Sequence, residues 1–155
     1  MKKNMLIGAI IFAAFFSMGT VYADNICPQQ ITVTYTNNNS VGTYTAAGDN
    51  LVIAQSGSFT ETVQGQAPLS GGLYGFIQME RLPPDYTTFA CFYWGPAHSN
   101  GFIEQGIIQV DPSKWTPDVS GPGSKWEAGN GGYVCDSSTG ALGVAADCPF
   151  MAVGS

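Results

Sequence analysis

Tyr86-Thr87-Thr88-Phe89-Ala90-Cys91-Phe92-Tyr93-Trp94 is the stretch that decides the fold. It is short, dense in aromatic and β-branched residues, and opens just after the tandem Pro83-Pro84. Such a run, closed by the turn-rich segment 95–100, reads as a β-strand. Strand alternation splits it into two faces. One face carries Thr87, Phe89, Cys91 and Tyr93; the other carries Tyr86, Thr88, Ala90, Phe92 and Trp94. Cys91 points inward to reach a disulfide partner, so Tyr86, Phe92 and Trp94 fall on the opposite side. An uncovered face of this kind is a flat aromatic platform, suited to stacking on a sugar ring or anchoring a protein. Tyr86, Phe92 and Trp94 are therefore the candidate binding residues. Burial under loops or the C-terminal segment is the competing reading, because large exposed apolar patches are rare on monomers.

The same period of two recurs on either side. Ile31, Val33 and Tyr35 alternate with Thr32, Thr34 and Thr36, and Asn37-Asn38-Asn39-Ser40 closes that strand with a turn. Further strands are expected over 41–47, 51–55, 58–64, 73–80 and 101–110, with a Gly-rich loop over 65–72. Trp115, Trp126 and Tyr133 punctuate a Gly/Pro-rich C-terminal third with room for two short strands. No sustained helical period follows residue 23. The expected fold is all-β: a disulfide-stapled antiparallel β-sandwich or partly closed barrel, forming one domain over 24–155.

Residues 1–23 have the make-up of a secretory signal peptide. Lys2 and Lys3 lead an apolar run over 5–16, and Val21-Tyr22-Ala23 is an A-x-A-like cleavage site. The expected destination is across the inner membrane, periplasmic or secreted, with no membrane span in the mature chain. Cleavage would leave Arg81, Lys114 and Lys125 as fixed cations against eleven carboxylates, a net charge of −8. That balance disfavours nucleic acid and anionic lipid as partners.

Four cysteines, Cys27, Cys91, Cys135 and Cys148, suit an oxidising compartment and two disulfides. Three pairings are open. We favour Cys27 with Cys91 and a local Cys135–Cys148 bridge. The rival is Cys27–Cys148 with Cys91–Cys135. No C-x-x-C pair suggests zinc. Asp136-Ser137-Ser138-Thr139-Gly140 is too poor in carboxylates for calcium, so neither a metal nor a cofactor is expected.

His98 is the single histidine, and no G-x-S-x-G elbow surrounds any serine. The expected role of His98 is that of a polar loop residue. Glu61, Glu80, Glu104 and Glu127 qualify as glycosidase carboxylates by type, but nothing in the sequence selects a pair. Glu61 shares a face with Phe59 and Val63, which an edge strand with a poorly buried face would explain.

Several local features together resemble a family of small exported bacterial proteins of unknown function. They are the Cys27-Pro28 start with its Ile-led strand, the central Cys91-Phe92-Tyr93, the late Trp126, Cys135, and the closing Cys148-Pro149-Phe150. The resemblance implies a secreted β domain and carries no site residues. The functional expectation is a binding module for an extracellular glycan or protein rather than an enzyme. A small extracellular hydrolase and an enzyme inhibitor are the alternatives.

Overall fold

The computed structural model describes residues 25–36, 41–62, 69–82, 87–129, 132–135 and 142–154. The signal-peptide segment, the 37–40 turn, Tyr86 and 136–140 lie outside the described residues. Six strands close an antiparallel barrel: β1 (Gln30–Tyr35), β2 (Val41–Ala46), β3 (Ser56–Glu61), β4 (Gly72–Leu82), β5 (Thr88–Ala97) and β6 (Ile103–Gln109). Their order around the barrel is β1-β2-β3-β6-β5-β4, with β4 returning to β1. The chain thus lays two three-stranded meanders side by side, joined at β3–β6 and β1–β4.

Alternation in the sequence becomes inside and outside. Ile31 and Val33, Phe59, Tyr74 and Phe76, Cys91 and Tyr93, and Ile108 are buried, while Thr32, Thr34 and Thr60 face solvent. A six-stranded barrel is narrow, so its interior is filled by side chains. Large rings fit only where the facing strand offers no side chain. A Cβ at Gly106 would stand 2.5 Å from the Phe59 ring, and one at Gly95 would run into the ring of Tyr74. Edge-to-face packing of Phe59 on Tyr74, with ring centroids 5.0 Å apart, knits the two meanders together. A register shift between Phe76 and Gln78 inserts one residue into β4. Phe76 and Met79 consequently both point into the core although three residues apart.

The C-terminal third covers one end of the barrel. Its described residues form the short strands β7 (Trp115–Pro117) paired with β10 (Phe150–Ala152), and β8 (Trp126–Gly129) paired with β9 (Gly132–Cys135). Phe89, Trp126 and Phe150 meet edge to face at 5.3–6.2 Å, and Trp126 Nε1 donates to the Pro149 carbonyl at 2.6 Å. Cys27 is bonded to Cys91 and Cys135 to Cys148, the favoured pairing of the three. The first bridge ties the chain entering β1 to the middle of β5; the second holds the β8–β9 hairpin to the strap before β10.

Two strand expectations need correction. Residues 51–55 are not a strand. Leu51 makes a single parallel bridge to Ile26, and Val52 and Ile53 are both buried. Consecutive strand residues point to opposite faces, so sinking both side chains into one core requires a bend. Nor does Glu61 sit on an edge strand: β3 lies between β2 and β6, and Glu61 is inside the barrel.

Candidate functional site

Among the described residues two carboxylates are buried in the barrel, both near the end away from the C-terminal cover. Glu61 Oε2 accepts from Tyr35 Oη at 2.9 Å, and its Oε1 accepts from the Gln105 amide at 3.1 Å. Glu104 is 0% exposed. It accepts from the Ser70 amide at 2.8 Å, Ser70 Oγ at 2.7 Å, the Gly71 amide at 3.2 Å and the Tyr74 hydroxyl. His98 Nε2 lies 2.7 Å from the same carboxylate. Tyr35 and Tyr74 hydroxyls, 3.4 Å apart, link the two halves of the network.

Burial alone would raise the Glu104 pKa. The hydrogen bonds from Tyr74, Ser70 and His98 outweigh it and hold the carboxyl below its ordinary value. Burial, reinforced by the neighbouring carboxylate, pushes the Tyr74 hydroxyl well up, and burial raises Tyr35 as well. These donors favour the ionised form of Glu104. A carboxylate has about four lone-pair directions, and Glu104 already receives five protein groups. Its oxygens are thus surrounded by groups of the fold. Among the described residues no hydroxyl hydrogen-bonds to His98, whose ring lies against Phe102 with centroids 5.3 Å apart. His98 lies in the connection between β5 and β6, the polar loop position expected for it, and its side chain is tied to a buried carboxylate. No described group of three or more His, Cys, Asp or Glu is placed to hold a metal.

Phe92 and Trp94 lie on the outer face of β5, opposite Cys91 and Tyr93, and both are half-buried. Gly75, the β4 partner of Trp94, is overlain by Leu142: a Cβ there would stand 2.8 Å from Leu142 Cδ2. That outer face is thus shared with the C-terminal strap. Trp94 Nε1 is shut off from solvent without a hydrogen-bond partner among the described residues.

A third feature had no sequence signal. A groove of about 760 Å³ opens where β3 and β6 part. Their pairing consists of Thr60 with Ile107 and Glu61 with Gly106. Beyond Thr60 the strands diverge, and residues 51–54 and Trp115 wall the space between. Its floor is apolar, from Val52, Ile53 and Ile108; its rim carries Ser56, Ser58, Thr60 and Gln109. The charged side chains lining it, Asp111 and Lys114, pair with each other at 3.4 Å.

Compared with known proteins, the chain matches no protein-family model, no curated protein and no solved structure.

Proposed function

We propose that this protein is an exported binding module that holds an extended extracellular ligand in the groove between β3 and β6. The observation that carries the reading is the groove itself: an apolar floor, a polar rim and one half-buried tryptophan, the make-up of a recognition site. Two disulfides in a chain of this length support an oxidising destination, as does the leader-like N-terminal sequence. The buried carboxylates support binding over hydrolysis, since their oxygens are occupied by groups of the fold. Kinship with the small exported family resembled in sequence is part of the same proposal.

The test is a heteronuclear NMR titration against a panel of neutral oligosaccharides and a library of short peptides. The expected result is shifts confined to Ser56, Ser58, Gln109 and Trp115, abolished by Ser58→Tyr at unchanged melting temperature. Shifts centred on Phe92 and Trp94 would move the site to the outer face of β5. An absence of shifts with either panel would overturn the binding reading.

A further inference from the structure

We propose that the ligand of this groove is an uncharged, extended polypeptide segment of a partner protein, added as a strand between β3 and β6. The proposal rests on the groove being the binding site. The hydrogen-bonding parity of the two strands carries it. The Ala46 amide donates to the Gln55 carbonyl, while the Thr62 amide donates to the Gln105 carbonyl. Odd-numbered residues along β3 therefore bond toward β2 and even-numbered ones toward β6. On β6, the Val110 amide donates to the Phe89 carbonyl of β5. Even-numbered residues of β6 thus face β5, and odd-numbered ones face β3.

Continuing the register Glu61–Gly106 and Thr60–Ile107 outward, the next bonded pair after Thr60–Ile107 would be Ser58 with Gln109. That pair is not formed. The main-chain N–H and C=O of Ser56 and Ser58 on one side, and of Gln109 on the other, point into the groove without a strand partner among the described residues. The main-chain groups of Ser56 and Ser58, two residues and about 6.8 Å apart along β3, with those of Gln109 facing them from the end of β6, match the backbone of an added strand. An oligosaccharide has no such repeat. Charge completes the choice: Asp111 and Lys114 neutralise each other, so among the described residues the groove has no unpaired charge to meet a charged side chain. The apolar floor calls for small or β-branched residues at alternate positions.

Proline at position 58 separates main-chain from side-chain recognition. The Ser58 amide faces the groove rather than β2, so its loss spares the β2–β3 ladder, and the preceding Gly57 has no Cβ to clash with the proline ring. A phage-displayed library of random heptapeptides is selected on the whole oxidised protein. Enriched peptides are then measured against wild type, Ser58→Ala and Ser58→Pro. Ser58→Ala should change affinity by less than about twofold, and Ser58→Pro should weaken it at least tenfold. Bound peptide should also slow amide exchange at Ser58 and Gln109 in the wild-type protein, a readout that needs no variant. Failure to enrich uncharged peptides, equal loss in the two variants, or unchanged exchange on binding would each overturn the inference. Oligosaccharides shifting the groove while peptides do not would remove the strand and leave the binding site. Silence from both removes both. Self-association that protects the same amides would make a second copy the occupant and overturn the partner assignment.

Discussion

His98 Nε2 lies 2.7 Å from an oxygen of Glu104, a carboxylate with no exposed surface in the wall of the barrel. Through it, the β5–β6 connection, the chain entering β4 and the strand β6 share one anion. Glu104→Gln keeps the shape but turns one acceptor oxygen into a donor facing donors. The expected cost is about 2–4 kcal/mol by urea unfolding. His98→Ala removes a single, partly exposed donor and should cost no more than about 1 kcal/mol. A larger loss for His98 than for Glu104 would mean the cluster is not organised around the carboxylate.

Because the Glu104 pKa is held below its ordinary value of 4.5, the unfolded chain takes up this proton first as pH falls. The stabilisation is present above about pH 4.5 and is lost as pH drops through the folded value. Tyr35, Tyr74 and Tyr93 have the opposite sense. Their folded pKa values lie above the ordinary 10.0, so stability holds below pH 10 and falls as alkali ionises the unfolded chain. Urea midpoints across pH should therefore fall at both limbs. Glu104→Gln should flatten the acid limb and, because its carboxylate helps to raise Tyr74 and Tyr35, soften the alkaline limb that burial maintains.

Glycines under rings are a second point of sensitivity. Gly106→Ala would place a methyl 2.5 Å from the Phe59 ring and the Thr60 carbonyl, neither of which has room to yield. The expected loss is about 3 kcal/mol or more, at the upper end of overpacking costs. Gly123→Ala, where a Cβ meets open space, tests backbone strain alone at its φ of 78° and should cost less. Melting temperatures of the two variants decide this.

Trp94 and Trp126 should separate in the same assay. Trp126 is buried among Phe89 and Phe150, so Trp126→Ala should cost about 3–5 kcal/mol. Trp94 is half-buried on the outer face, and its replacement by Ala should cost about half as much. Equal losses would show the face of Phe92 and Trp94 to be core.

Much of this barrel was legible because a strand with one wet face has to alternate. Ile31-Thr32-Val33-Thr34-Tyr35 and the run through Cys91 state their faces outright. Residues 51–55 looked like another strand by composition, but Val52 and Ile53 are buried together, and composition does not distinguish a bend from a strand. Glu104 carried a usable signal: it shares parity with Ile108, which places it inward on β6. Its partners come from Ser70 and Tyr74, 34 and 30 residues upstream, and that meeting depends on barrel closure. The groove was beyond sequence reasoning for the same reason. It lies at the junction of the two meanders, β3 with β6, whose register no local pattern encodes.

Reduction of the disulfides should be costly to stability. In the loop-entropy picture the Cys135–Cys148 bridge, spanning 13 residues, and the Cys27–Cys91 bridge, spanning 64, contribute about 3 and 4 kcal/mol. Thermal melts with and without reductant should differ strongly, and Cys27→Ala/Cys91→Ala should lose more than Cys135→Ala/Cys148→Ala. The reverse order would assign the C-terminal cover the greater share.

The open seam is tested most directly by residue-resolved hydrogen exchange on the free, oxidised protein. Gly57 and Phe59, whose amides face β2, should exchange slowly, as should Thr60 and Ile107 within the remaining β3–β6 pairing. Ser56, Ser58 and Gln109 should exchange at least a hundredfold faster. Protection of Ser58 and Gln109 equal to that of Phe59 would mean the seam is zipped shut in solution, and would contradict the groove as a binding site.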